Sequence, residues 1–135
     1  MFSALPTSRL TNHAMKLRIK GNSLRIRLTK TEVSKLAEAG YLEEQTRFLN
    51  QNFIYALQRT EADELSATFE SNKITMLVPA LFTKDWPVNS IVGLDTKMPL
   101  PGNESLYLLV EKDFVCLDHT TEDQSDNYEN PNKTC

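Results

Sequence analysis

The chain has 135 residues, 40% of them hydrophobic and 24% charged, and its formal net charge is -3. This composition excludes a collagen-like chain, a long coiled coil and wholesale disorder, and the length suits one domain with its own hydrophobic core. Two His and two Cys exclude a metal site built from three His or four Cys, and no stretch approaches the roughly 18 apolar residues of a membrane span.

The charges are unevenly distributed along the chain. Residues 1–31 contain seven cations and no carboxylate, whereas residues 118–135 contain five carboxylates and one cation. A basic beginning and an acidic end differ from the pattern of a bulk basic nucleic-acid-binding protein. We therefore expect a local basic patch that is accompanied by an acidic tail.

The first fourteen residues show no periodicity and no apolar core of a signal peptide. We expect them to form a disordered extension, with Met15 as the natural start. Without a secretory signal, the two cysteines are expected to be reduced thiols in a cytoplasmic protein.

A tight hairpin is predicted around Gly21-Asn22, a dipeptide typical of two-residue turns. The turn sets the register, so that apolar side chains alternate onto one face of the two strands. The opposite face, which we call the basic face, then carries the five cations Lys16, Arg18, Lys20, Arg25 and Arg27.

One helix follows this hairpin. Thr29 and Glu32 form the two ends of a capping box, and Gly40 is suited to end the helix. Strands are predicted at 41–48 and 53–58, and a second hairpin around Ser71-Asn72 ends at Pro79. No internal repeat is visible in the sequence.

The remaining predicted elements are a loop or short helical turn at 80–89, a short strand at 91–94 and a long strand at 105–117. The fold class is therefore α+β, an antiparallel six- or seven-stranded curled sheet or open barrel with one short helix. Residues 15–117 would form the core domain, with the acidic segment 118–135 docked on it. The strand aromatics, Tyr41, Phe48, Phe53, Tyr55 and Tyr107, are expected in the core.

The basic face poses an electrostatic problem, because like charges directly opposite each other in a ladder are destabilising. Three solutions remain open. The face could be solvated, or the protein could supply counter-charges, or the face could receive an external anion such as a phosphate. The candidate counter-charges are Glu43, Glu111 and Asp113. Nucleic acid is not expected, since neither strand of the hairpin places an aromatic side chain on this face.

Chemistry-bearing motifs are scarce. Cys116, His119 and Cys135 could contribute to a zinc site, but structural zinc sites usually come as two close pairs, and a buried structural Cys116 is the preferred interpretation. No phosphate-binding glycine loop or nucleophile elbow occurs. We predict no catalytic residue, no metal and no cofactor.

Two long strings, MKLRIKGNSLRIRL near the start and EKDFVCL followed by EDQSDNYENP near the end, resemble an uncharacterised bacterial family of short proteins with a domain of unknown function. The resemblance covers residues 15 to about 131 and implies that the acidic tail belongs to the domain. It supplies no catalytic residue.

The interpretation that follows is a small non-catalytic binding or interaction module whose basic face takes an anionic group. Its partner would be a protein or a small anionic ligand, and its oligomeric state is open. The alternative is a phosphate-processing enzyme similar to the triphosphate-tunnel (CYTH-like) enzymes, although their ExExK signature is absent. A third reading is a structural subunit that buries an edge strand in a partner.

Overall fold

The computed structural model describes residues 15–115 and 125–129. This part of the chain contains eight strands and two helices. In chain order they are β1 (Lys16–Ile19), β2 (Ser23–Leu28), α1 (Lys30–Ala39), β3 (Tyr41–Arg47), β4 (Asn52–Thr60), β5 (Ser66–Glu70), β6 (Lys73–Pro79), α2 (Ala80–Asp85), β7 (Gly93–Leu100) and β8 (Glu104–Lys112).

The strands form two mixed sheets. Sheet 1 has the order β1-β2-β8-β7, and sheet 2 has the order β3-β4-β6-β5. Each sheet consists of two antiparallel hairpins whose second strands pair in parallel at the centre, β2 with β8 and β4 with β6. The fold is β-rich as predicted, but a single antiparallel sheet with six or seven strands and one helix is wrong. The long-range parallel pairs, which no local turn signal announces, account for the difference.

The local predictions for the first hairpin and helix are confirmed. β1 and β2 pair with Leu17 opposite Ile26 and Arg18 opposite Arg25. At the start of α1 the Glu32 backbone N–H donates to Thr29 Oγ1, and the Glu32 carboxylate accepts from the Thr29 backbone N–H, which completes the capping box. Gly40 ends the helix in the left-handed conformation, with a φ of 80°.

One apolar core joins the inner sides of the two sheets and the two helices. Ile26, Leu57, Leu108 and the other core side chains come from both sheets, and Leu36 comes from α1. Trp86 follows α2 and is fully buried; its Nε1 donates to the backbone oxygen of Ile91. The outer side of each sheet faces away from this core, which leaves the outer side of sheet 1 uncovered by either helix.

The fold is a duplication of a ββαββ unit. The first unit runs from β1 to β4 with α1, and the second runs from β5 to β8 with α2. The registers of the two leading hairpins match at an offset of 50 positions, because their ladders are centred on Gly21-Asn22 and Ser71-Asn72. The repeat in the fold corrects the expectation of no internal repeat. The sequence does not reveal it, because the two units share the alternation of apolar residues but few residue identities.

Matching backbone hydrogen bonds support the duplication. Arg59 N donates to Gly40 O in the first unit, and Lys112 N donates to Val92 O in the second. The side chains of Arg59 and Lys112 also have parallel roles: they donate to the backbone oxygens of Ala37 and Asn89, which lie 52 positions apart. The outer sides of the two sheets can therefore be compared position by position.

The described part of the acidic segment contacts the core. Tyr128 pairs with Phe114 in an isolated parallel bridge, and its backbone N–H donates to Asp113 O at 2.7 Å. Asp126 accepts from two backbone N–H groups at the start of α1, Lys30 N at its backbone oxygen and Thr31 N at its carboxylate. A carboxylate at this position stabilises the positive end of the helix dipole.

Candidate functional site

The five cations of the basic face lie on the outer side of sheet 1. Lys16 and Arg18 lie in β1, and Lys20 comes directly after it. Arg25 and Arg27 are two positions apart in β2 and therefore share its outer side. The register places Lys16 opposite Arg27 and Arg18 opposite Arg25. The ladder thus contains two like-charged pairs, as the hairpin turn predicted.

Glu111 is the central counter-charge of the basic face. It lies opposite Arg27 in the β2–β8 pair, and its Oε2 accepts from Arg25 Nε at 2.5 Å and from Arg27 Nε at 2.9 Å. The Glu111 side chain is only 12% exposed, whereas those of the two arginines are 32% and 38% exposed. The carboxylate therefore lies beneath the guanidinium groups, which cover it from solvent.

Asp113 forms a second ion pair at the end of the strand. Lys16 Nζ lies 3.1 Å from Asp113 Oδ2, at an angle that does not make a hydrogen bond, and the Asp113 side chain is 4% exposed. Its backbone N–H donates to Leu28 O, which fixes the residue after β8 against the end of β2.

Two cations of the basic face have no counter-charge in the described residues. Within 15–115 and 125–129, no carboxylate lies within ion-pair distance of Arg18 or Lys20, and both residues are exposed. They lie at the end of the hairpin nearest the turn. This end of the basic face is therefore its most accessible part.

The third candidate counter-charge, Glu43, does not lie near these cations. It lies on β3 of sheet 2, where its carboxylate accepts from Tyr41 Oη and lies 3.8 Å from Lys73 Nζ. Lys73 also donates to Tyr41 Oη, and this hydrogen bond raises the pKa of Lys73. The expectation for Glu43 is wrong because β3 pairs with β4 and β1 pairs with β2, so the two strands belong to different sheets.

The sequence prediction missed three residues beside the basic face. Tyr107 lies opposite Ser23 on β8, and Asp95 and Lys97 lie on β7, on the same side of sheet 1. Tyr107 Oη donates to Asp95 Oδ2 at 2.8 Å, and this bond raises the pKa of Tyr107. The alternation along β8 puts Tyr107 on the same side as Glu111, which is the signal that could have found it.

The expectation that all strand aromatics belong to the core needs the same correction. Phe53 and Tyr55 pack against the core. Tyr41 and Tyr107 lie on the outer sides of their sheets, where their hydroxyls bond to Glu43 and Asp95. Phe48 is 60% exposed because it follows β3 in a loop.

Two buried ionisable residues serve the fold rather than the basic face. Glu32 accepts from Met15 N at 3.0 Å and from Thr29 N, and burial raises the pKa of its carboxyl. Lys112 is 4% exposed and donates to Asn89 O, and burial lowers the pKa of its ammonium group. Glu32 thereby links α1 to the residue before β1, and Lys112 links the end of β8 to the loop that follows α2.

The zinc candidates Cys116, His119 and Cys135 lie outside the described residues. Among the residues that the structure does describe, no group of three or more His, Cys, Asp or Glu side chains is arranged to hold a metal ion. None of the helices described is long and apolar enough to cross a membrane.

A triphosphate tunnel would need cations that point into the barrel. Here the inner-facing residues of β2 and β8 are apolar, among them Leu24, Ile26, Leu108 and Val110, and the cations point outward. The described residues thus form a basic outer side on a sheet with an apolar inner side.

The comparison with family models assigns residues 15–132 to a family of unknown function, DUF7009. The match covers most of the chain, so the protein belongs to this family, and the predicted resemblance to a family with a domain of unknown function is confirmed. No curated protein matches the chain.

Proposed function

We propose that the protein is a non-catalytic binding module whose basic face takes an anionic group. The observation that carries this proposal is the contrast between the duplicated hairpins. Ser66, Thr68, Thr75 and Leu77 occupy the positions of four cations, and Gln58 occupies the position of Glu111. Glu70 stands at the position of Lys20 and lies opposite Lys73, so the second hairpin folds without the like-charged pairs and the topology does not require them.

The arginine geometry supports the same proposal. Glu111 engages only the Nε atoms of Arg25 and Arg27. A guanidinium group has five N–H donors, and its planar fork suits carboxylate and phosphate oxygens. The Nη donors of both residues therefore remain for an external anion, and the bonds to Glu111 hold the two forks in place before a ligand arrives.

A variant in which four of the cations and Glu111 are replaced by their counterparts in the duplicated unit tests the proposal. It carries Lys16→Ser, Arg18→Thr, Arg25→Thr, Arg27→Leu and Glu111→Gln. We expect it to fold and to lose binding of tripolyphosphate, measured by isothermal titration calorimetry at low salt, where electrostatic binding is strongest. Equal binding by the wild type and this variant would overturn the proposal.

A single substitution gives a milder version of the test. Arg18→Thr removes an exposed cation that has no ion pair among the described residues and lies opposite Arg25, so it should not lower the melting temperature and should weaken binding by about threefold to tenfold. The matched control is Arg47→Thr, an exposed arginine at the end of β3 on sheet 2, which should leave binding unchanged.

Catalysis is tested on the same protein. Incubation with ATP or tripolyphosphate and magnesium should release no phosphate if the protein only binds. Phosphate release that disappears in the Arg18→Thr variant would favour the phosphate-processing alternative.

A further inference from the structure

An aromatic side chain completes the outer side of sheet 1. The basic face itself has none on β1 or β2, which was the reason to expect no nucleic acid. The parallel β2–β8 pair changes this, because it places Tyr107 directly beside Ser23 and diagonal to Arg25. RNA-binding sheets combine such cations with aromatic rings on which unpaired bases stack.

Tyr107 is held in a fixed position without being covered. Its hydroxyl donates to Asp95 on one neighbouring strand. Its neighbour on the other strand is Ser23, whose small side chain donates to Lys20 O. The ring is partly exposed, anchored at its hydroxyl and flanked by a small residue. A planar group can therefore approach the ring at little cost in side-chain ordering.

Cations surround this ring on the same side of the sheet. Lys97 lies opposite Tyr107 on β7, Arg25 lies diagonally across β2, and Lys20 lies beyond Ser23. Neighbouring strands are about 4.8 Å apart, so the four strands span about 14 Å, a distance of two to three nucleotides. The cations that would hold phosphates thus flank the Tyr107 ring, at spacings that suit a short extended single strand of nucleic acid.

The acidic residues of this region do not oppose the arrangement strongly. Glu111 and Asp113 are almost buried and bound to Arg25, Arg27 and Lys16. Asp95 accepts the Tyr107 hydroxyl. Of the exposed charges that the structure describes on this side of the sheet, Arg18, Lys20 and Lys97 are positive and Asp95 is negative, so cations outnumber carboxylates.

From this juxtaposition we infer that the outer side of sheet 1 binds single-stranded nucleic acid, with one base stacked on Tyr107 and the adjoining phosphates on the basic face. The inference rests on the proposed function and names its ligand. Binding in this way requires unpaired bases, since a base that is stacked and paired in a duplex does not offer its face to the sheet.

The test is fluorescence anisotropy with labelled oligo-dT and oligo-rU of about ten nucleotides. We expect Tyr107→Ala to weaken binding about tenfold or more, and Tyr107→Phe, which keeps the ring but loses the bond to Asp95, to stay within about threefold of the wild type. Arg18→Thr should lower the slope of log K against log salt by about 0.7. Melting temperatures show that each variant is folded.

An abasic phosphodeoxyribose strand of the same length separates stacking from charge. It should bind the wild type about tenfold more weakly than oligo-dT and should be insensitive to Tyr107→Ala. If it binds as tightly as oligo-dT, the stacking inference is overturned while the proposed function stands.

Competitors decide between the remaining ligand classes. A duplex that competes as strongly as the single strand would overturn the inference. A polyglutamate peptide that competes as strongly would also overturn it and would favour an acidic protein partner. If oligonucleotides fail but tripolyphosphate binds, only the inference fails. If tripolyphosphate fails as well, the proposed function fails with it.

Discussion

Glu111→Gln is expected to destabilise the fold. The wild-type carboxylate accepts from Arg25 Nε and Arg27 Nε and is 12% exposed. Both donors share Oε2, so a glutamine oxygen in its place can keep the two hydrogen bonds, but only as bonds to a neutral acceptor. The variant therefore loses the negative charge of the acceptor in both bonds and leaves three guanidinium groups, with Arg18, near each other without an anion.

The expected cost follows from these contacts. A hydrogen bond to a charged group contributes about 1.5–3 kcal/mol and a neutral one about 0.5–1.5 kcal/mol, so weakening both bonds costs about 1–2 kcal/mol. Because roughly a third of each arginine side chain is exposed, we expect a loss near the lower end of this range. With the added repulsion, the free energy of unfolding should fall by about 2 kcal/mol, which lowers Tm by roughly 6–10 °C for a domain of this size.

Thermal and urea unfolding at two salt concentrations measure this effect. Raising the salt from about 0.1 M to about 1 M shortens the Debye length from about 10 Å to about 3 Å, so the deficit of the variant should shrink. Glu104→Gln, an exposed carboxylate at the start of the same strand, is the matched control and should change little. A Tm equal to that of the wild type, or a deficit that grows with salt, would refute the reasoning.

Three further substitutions probe the frame around the site. Gly93→Ala should lower the free energy of unfolding by about 1–3 kcal/mol in urea, because an added Cβ would lie 2.4 Å from Val110 O. Glu32→Gln should flatten the pH dependence of unfolding above pH 4.5: the raised pKa of Glu32 makes the folded state bind more protons there, so wild-type stability falls as pH rises through that window. Asp126→Ala should cost about 0.3–1 kcal/mol by calorimetry, through loss of its bond at the start of α1.

Each of these substitutions has a control of the same residue type. Gly21→Asn should be close to neutral, since Asn tolerates the left-handed φ of 55° and no atom lies within 4 Å of the added Cβ. Glu38→Gln on the exposed side of α1 should keep the wild-type pH profile. Glu129→Ala should not change Tm. A Glu32→Gln profile as steep as that of the wild type, or equal losses for Asp126→Ala and Glu129→Ala, would contradict the assigned roles.

Local chemistry made the hairpins and the helix predictable. A two-residue turn fixes which side chains share a face, and the capping box of Thr29 and Glu32 marks a helix start by hydrogen bonds between neighbours. These signals extend over a few residues, so one sequence suffices to read them. They predicted the β1–β2 register and the face that carries the cations.

Strand neighbours across the sheet were not predictable in the same way. Alternation tells which side of β8 is apolar, but not that β8 pairs with β2, which lies about eighty positions earlier in the chain. For the same reason the sequence offered Glu43 and Glu111 as equal candidates, and only the sheet order separates them. Tyr107 was assigned to the core because β8 is apolar on both alternations and its outer neighbours were unknown.

The duplication separates what the fold needs from what the basic face adds. Arg18 opposite Arg25 and Lys16 opposite Arg27 are pairs that oppose folding, and the equivalent pairs of the second hairpin, Thr68 with Thr75 and Ser66 with Leu77, do not. Glu111 offsets part of the repulsion from beneath, where its own charge is hidden from a ligand. A chain selected for stability alone would lose the repulsive pairs together with the buried carboxylate. Local conflict that is present in one half of a duplicated fold, and absent from the other, supports the proposal that the basic face is a binding site.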